Sequence, residues 1–381
     1  MVARSLSRRG LLRAGIGTAA ALALASLPWP SPQAGAQAEE VPEPSWARPG
    51  PYRLPGWTDF GISTFRSDEP VVAAYFFYWF DADFLRTQRR PFDPYPFHAV
   101  DQDTQSFRDP RWYLKQFNDM VDAGIDVILP DYWGEPGQHN RRVAPAPELN
   151  LFATEGIPPM LEGLRLLEEQ GRSLKIGLFL DTTIMNDADL TTPAGKKVFY
   201  ASIRDFYSRI PPKHWAAIDN RPLVWLYDAQ RVAAFDQSSF DHVYAQFPND
   251  FGGLAPWIVR EYQWYQAKNA GGDEVIRTEG FYGWGAAPSG FNEDTRFTVA
   301  EVGPGFKNTQ FGGEGRIDTP RQDGAYYEGQ LQQALRSGRK IWAIETWNEL
   351  GEGSGILETV EFGRQYIELT RRYVDRLKGR A

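Results

Sequence analysis

The stretch from Ile341 to Gly363 reads IWAIETWNELGEGSGILETVEFG. Its apolar start runs straight into Glu345, Glu349 and Glu352, with Trp347, Asn348 and glycines between them. A short, continuously apolar run suits a strand buried on both faces, as in a parallel sheet. Carboxylates at the end of such a strand cost free energy unless they are paired or put to use. The same arrangement recurs upstream, in VVAAYFFYWF (71–80), DVILPDYWG (126–134), LKIGLFLDTT (174–183), PLVWLYD (222–228), APWIVREYQW (255–264), GFYGWGA (280–286) and FTVAEVGP (297–304). Amphipathic stretches lie between these runs, among them DPRWYLKQFNDMVDAG (109–124), MLEGLRLLEEQG (160–171) and YYEGQLQQALRSG (326–338). Each ends on a glycine able to close a helix.

Eight strands alternating with helices predict an α/β protein, a single (β/α)8 TIM barrel over residues 71–381. An open doubly wound sheet is the competing architecture. It loses ground because no Gly-x-Gly-x-x-Gly or Walker A pattern follows the first strand. Polar and aromatic residues gather at the C-terminal ends of the strands: Tyr78 and Trp79, Asp131 to Trp133, Asp181, Asp228, Arg260 to Trp264, Trp284, Glu301, and Trp347 to Glu352. In a barrel these ends share one face, the one that carries active sites.

The chain of 381 residues has a net charge of −8, which argues against a nucleic-acid-binding surface. Aromatic residues make up 14% of it, enough to furnish stacking platforms for sugar rings as well as a large core. There is no cysteine, so disulfides, thiolate metal sites, a cysteine nucleophile and a lipoprotein anchor are all excluded. Residues 1–38 have the form of an export signal. Arg4, Arg8, Arg9 and Arg13 precede an alanine-rich apolar run, and small residues are placed for cleavage after Ala36 or Ala38. The Arg8-Arg9 pair matches the twin-arginine type, so the expected partners are that export machinery and then a carbohydrate. The apolar run is short for a spanning helix, and no stable membrane anchor is expected after cleavage. Residues 39–70 form a Pro-rich segment expected to wrap the domain surface.

Two carboxyl groups facing an aromatic-lined groove are the equipment of glycoside cleavage. Glu349 and Glu352 lie three residues apart in NELGEG, where Gly351 and Gly353 let the backbone turn both side chains into one cavity. Their mutual repulsion would raise one pKa and divide them into acid and base. From spacing alone, a solvated or capping acidic loop competes with this reading.

The segment TWNELGEGSGILETVEFG resembles the closing strand and loop of glycoside hydrolase family 99 and its relatives, including family 71. The resemblance extends loosely to YWF (78–80), DPRWYLKQFNDMVDAGIDVILPDYWG (109–134) and VAEVGPGF (299–306). It implies a (β/α)8 enzyme cleaving α-linked mannan-like or glucan-like chains with retention. It also implies that Glu349 is the base that deprotonates the sugar's own 2-hydroxyl, which attacks C1, and that Glu352 is the acid that protonates the departing oxygen. Asn348 would hold a sugar hydroxyl or orient Glu349. This chain departs from the family pattern at Leu350, where Trp is usual, at Gly351, where His is frequent, and at Glu345, where Ser or Thr stands. The extra acid could hold a cation or reshape a subsite. Trp347, Glu345, Tyr78, Trp79, Asp131, Tyr132, Trp133, Asp181 and Trp284 complete the expected substrate-binding set.

No organic cofactor is implied. His98, His139, His214 and His242 show no His-x-x-x-His spacing, so a histidine-built zinc site is not expected. Asp101 and Asp103 offer oxygens for calcium, with a solvated loop the preferred reading. Two rival functions remain. One is a non-catalytic carbohydrate-binding or scaffolding barrel. The other is a polysaccharide lyase, for which Arg260 is the strand-end candidate to hold a uronate.

Overall fold

A computed structural model describes residues 64–82, 95–134, 151–185, 187–269, 274–309 and 315–380. The export signal at 1–38, most of the Pro-rich segment and His139 lie outside the described residues.

Eight strands build the core: β1 (Val71–Phe76), β2 (Val127–Tyr132), β3 (Leu178–Leu180), β4 (Arg221–Leu226), β5 (Trp257–Glu261), β6 (Gly280–Tyr282), β7 (Val299–Val302) and β8 (Ile341–Ile344). Each falls within one of the apolar runs identified in the sequence, except that β4 starts one residue ahead of its run. The ladder runs β6-β5-β4-β3-β2-β1-β8-β7, and the pairings along it are parallel. Between β6 and β7, Thr298 N–H donates to Phe281 C=O at 2.9 Å, and Phe281 N–H donates to Thr298 Oγ1 at 2.9 Å. The fold is therefore a nearly closed (β/α)8 barrel.

Among the described residues six longer helices flank it: α1 (Pro110–Ala123), α2 (Ile157–Glu169), α3 (Pro193–Arg209), α4 (Gln237–Asp250), α5 (Ala325–Ser337) and α6 (Gln365–Leu377). The three helical stretches read from sequence correspond to α1, α2 and α5. At the start of α1, Asp109 accepts from Arg111 N–H at 2.9 Å and Pro110 opens the first turn, where a missing N–H costs nothing. Gly124 ends α1 in the left-handed region, φ 84°, and a Cβ there would meet Val374 of α6 at 2.8 Å. Glycine thus both stops the helix and lets α6 approach. After β5 and β6 the described helical segments are single turns, Tyr262–Trp264 and Ala286–Ser289.

Side chains alternate between the barrel interior and the helix layer. Tyr75, Phe179, Trp225 and Tyr282 point inward and form an aromatic plug, with Tyr75 and Phe179 centroids 4.6 Å apart and Trp225 and Tyr282 5.2 Å apart. Trp225 Nε1–H donates to Tyr75 Oη at 3.0 Å, so the plug buries its polar atoms in partnership. Phe76, one residue from Tyr75, packs outward on Trp112, Tyr113 and Phe117 of α1. Of the Pro-rich segment, Phe65 pairs with the strand Ala217–Ile218, its N–H donating to Ala217 C=O at 2.8 Å. No helix among the described residues is long and apolar enough to cross a membrane.

Candidate active site

The chain leaves β8 through a compact loop whose backbone is bonded to itself and to β1. Trp347 N–H donates to Tyr75 C=O at 2.8 Å, and Thr346 N–H to Ser354 C=O at 3.0 Å. Glu349 N–H donates to Thr346 Oγ1 at 2.9 Å, and Gly351 N–H donates to Glu349 Oε1 at 3.0 Å. The left-handed turn of this loop belongs to Gly353, φ 56°. Gly351 serves through its N–H instead. Arg321 underlies the loop, its Nη2 donating to the carbonyls of Gly353 at 2.8 Å and Gly355 at 2.6 Å while its guanidinium lies over Phe97, Phe362 and Tyr366. Glu349 is 3% exposed and its Oε2 has no partner among the described residues, whereas Glu352 is half-buried. Burial, and next the charge of Glu352, raise the Glu349 carboxyl well above the usual carboxylate range.

Further carboxyls complete the mouth. Asp131 is the penultimate residue of β2, Asp181 follows β3, Asp228 lies two residues beyond β4, Glu261 ends β5, Glu301 lies in β7 and Glu345 follows β8. Each is buried. Burial is the largest influence on Asp228, pushed up to about 6, and on Glu261 and Glu345, each pushed up to about 8. Glu301 is raised by burial and then by Glu345, and Asp131 by burial and then by Asp181. Glu345 Oε2 accepts the N–H groups of Gly285 at 2.9 Å and Ala286 at 2.7 Å, which offsets part of the cost of burying it.

An acid whose folded-state pKa is raised stabilises the fold fully only below its unfolded pKa, and that contribution is lost as pH rises through the folded value. The melting temperature is therefore expected to fall as pH rises from about 4, the ordinary carboxylate value, to about 8, the upper of the raised values of Asp228, Glu261 and Glu345. Glu345→Gln keeps an acceptor for the two N–H groups and cannot ionise, so its decline over that range should be shallower. Parallel melting curves for wild type and variant would reject this account.

The aromatic walls divide the expected residues into two groups. Trp79 and Trp284 are half-buried at the mouth, and Trp133 stands behind Trp79 at 5.9 Å. Phe77 (4.7 Å from Trp79) and Tyr227 (4.8 Å from Trp284) line the same space. Four other expected substrate contacts are instead parts of the fold. Tyr132 turns outward to α3, where its hydroxyl bonds Asp205 and its ring packs on Phe206 at 5.1 Å. Tyr78 faces the helix layer and donates to Ala153 C=O at 3.0 Å. Trp347 is fully buried with Nε1–H on Gln116 Oε1 at 2.8 Å. Asn348 accepts from Phe77 N–H at 2.8 Å and donates to Phe77 C=O at 2.7 Å, a clamp between β8 and β1. For Tyr132 and Tyr78 the inward neighbour, Asp131 or Phe77, occupies the mouth and alternation sends the other residue away from it, whereas Trp347 and Asn348 lie in the loop beyond β8.

The sequence put Asp228, Glu261 and Glu301 among the strand ends on the active-site face but not in the substrate-binding set. Spacing was the available signal, because Glu261 stands beside outward-facing Arg260 just as Asp131 stands beside outward-facing Tyr132. Arg260 donates to Thr278 Oγ1 at 2.6 Å and lies over Phe281, which places it in the outer layer and removes the uronate-binding role of the lyase reading. Asp101 accepts from Gln116 at 3.0 Å and Gln105 at 3.3 Å. Among the described residues no group of three or more His, Cys, Asp or Glu side chains has the arrangement to hold a metal ion.

The fold and site together make a parallel (β/α)8 barrel with buried acids and tryptophans at its mouth. The chain belongs to the family described as Domain of unknown function (DUF5010), which matches residues 60–380. Among solved structures it is similar to the GH99 endo-α-mannosidase of Bacteroides thetaiotaomicron, at 15% identity over 82% of this chain and 98% of that one, with a TM-score of 0.56. The complex of the Bacteroides thetaiotaomicron GH99 endo-α-mannosidase with bis-tris propane aligns at 16% identity over 83% and 99%, with a TM-score of 0.61. A protein described as glycoside hydrolase-like aligns at 13% identity over 85% and 98%, with a TM-score of 0.58. At such identities the likeness establishes the barrel. No curated protein matches the chain.

Proposed function

We propose that this protein is an exported glycoside hydrolase that cleaves an α-linked poly- or oligosaccharide, with Glu349 as base and Glu352 as acid. The observation that carries this reading is the placement of both glutamates on one braced loop at the acidic barrel mouth, with the charge of one acting on the other. The shared barrel with endo-α-mannosidases supports it.

In the proposed cycle, Glu349 takes the proton of the substrate's 2-hydroxyl while that oxygen attacks C1. The C1–O bond to the leaving group breaks, and Glu352 supplies the departing oxygen with a proton. Water then opens the strained 1,2-anhydro ring with the two roles reversed, and the anomeric configuration is retained. A base works best with a pKa near the operating pH. Burial lifts Glu349 in that direction. The half-buried position of Glu352 suits a group that must reach an oxygen on the solvent side.

Hydrolysis of a panel of α-mannans, α-glucans and bacterial exopolysaccharides tests the reading. Release of reducing ends from at least one α-linked glycan is expected, and binding without any cleavage would favour the scaffolding barrel. Export is tested separately by Arg8→Lys and Arg9→Lys together. Because an ammonium does not reproduce the paired guanidinium groups, the precursor should accumulate in the cytoplasm. Unchanged export would show that the twin-arginine route is not in use.

A further inference from the structure

The two glutamates of the loop after β8 are anchored to different parts of the barrel. The half that carries Glu349 is tied to β1, through Trp347 N–H on Tyr75 C=O and through the Asn348 side chain on the backbone of Phe77. The half that carries Glu352 is tied to the segment after β7. There Lys307 N–H donates to Glu352 C=O at 2.7 Å, and Arg321 Nη2 donates to Gly353 C=O at 2.8 Å and Gly355 C=O at 2.6 Å. Lys307 and Arg321 belong to one unit, because Phe306–Lys307 pairs antiparallel with Asp318–Thr319, just ahead of Arg321. A Cβ at Gly353 would meet Pro96 at 2.8 Å and Phe97 at 3.1 Å, so the backbone there has no room to shift towards them. The halves meet at Ser354, whose N–H reaches Glu349 C=O at 3.2 Å and whose C=O accepts from Thr346 N–H at 3.0 Å.

Arg321 is a costly residue to place under a loop for packing alone. It is 6% exposed, and its guanidinium meets two backbone carbonyls and the rings of Phe97, Phe362 and Tyr366. Burial lowers its pKa to about 10, so it stays charged at neutral pH. An apolar side chain would fill the same space between the rings without the desolvation of a cation. It could not hold the two carbonyls that follow Glu352. Glycines at 351, 353 and 355 leave the chain around Glu352 with little conformational preference of its own, so its course must be set from outside.

We propose that Arg321 is a positioning residue for Glu352: together with Lys307 N–H it fixes the glycine-rich backbone that carries the proton donor, while the base, Glu349, is held separately from β1. The inference rests on the glycosidase reading and gives its two roles separate supports. Loss of Arg321 therefore displaces the acid and leaves the base with its own ties to Tyr75 and Phe77. The cost falls on the step that Glu352 serves, the protonation of the departing oxygen.

Two variants test the proposal. Arg321→Met keeps an unbranched chain between the rings and removes the donors, and Arg321→Lys keeps the charge without the planar fork. Each is assayed on the α-glycan that the panel shows to be cleaved and on the dinitrophenyl glycoside of the same sugar. A shift of about 1 Å in Glu352 should lower kcat for the glycan on the order of 10²-fold in Arg321→Met, with KM little changed. The dinitrophenyl glycoside, whose leaving group needs no proton, should turn over near the wild-type rate. Arg321→Lys should show the same pattern with a smaller loss, and it carries the comparison if Arg321→Met fails to fold. Equal slowing of both substrates would overturn the proposal and make Arg321 a brace of the whole loop. Undiminished turnover of the glycan in both variants would overturn it as well. If the wild type cleaves neither kind of substrate, the glycosidase reading falls and this proposal with it, a failure seen before any variant is compared.

Discussion

Glu352→Gln is expected to slow hydrolysis of ordinary glycosides roughly 10²–10⁴-fold, the usual worth of a positioned proton donor. An aryl glycoside with a low-pKa leaving group should be largely spared, because its oxygen departs without needing the proton. Glu349→Gln should impair both substrates alike, since neither can react until the 2-hydroxyl gives up its proton. The two variants should also differ in stability. Glu349 is a buried acid that ionises reluctantly, so its removal relieves the fold at neutral pH, and the melting temperature should hold or rise. Glu352 is half-buried, so its replacement should leave stability nearly unchanged. The measurement is turnover of both substrates by both variants, with melting temperatures beside it. Equal loss on both substrates from Glu352→Gln would reject its role as acid. Full activity in both variants would move the chemistry to Glu345 or Asp131.

The barrel was legible because its strands are buried on both faces, so each appears as an unbroken apolar run. Ile341–Ile344 and Val127–Leu129 could be read directly for that reason. The mouth was legible only in outline. That polar residues gather at strand ends follows from composition, but which of two adjacent residues turns inward depends on register. Asp131 and Tyr132 look equally suited to a sugar subsite in sequence. In the barrel one faces the mouth and the other the helix layer, where Asp205 awaits its hydroxyl. The same alternation brings Glu261 into the site and sends Arg260 out. A period-two reading anchored on one known inward residue per strand would have sorted these pairs. Asn348 is a different case. Its partner is the backbone of Phe77, 271 positions away, and nothing in the residues around Asn348 announces a contact of that kind.

Asn348→Ala should therefore cost both stability and rate. The substitution strips Phe77 of the acceptor for its N–H and the donor for its C=O in a place that water does not reach. Each buried group left unpaired costs about 1–3 kcal/mol, so a loss of about 2–6 kcal/mol is expected from the denaturation midpoint. Asn348→Asp should fare no better, because it keeps the acceptor, loses the donor and buries a carboxylate against the Phe77 carbonyl. Glu349 is the next residue, and its backbone is set by the loop that Asn348 ties to β1. A displacement of about 1 Å at a catalytic group costs on the order of 10²-fold in rate, so kcat should fall in whatever fraction remains folded. A direct sugar contact would behave differently, raising KM in a protein of normal stability. If Asn348→Ala melts like the wild type and changes KM alone, the side chain meets substrate and the clamp is not its purpose.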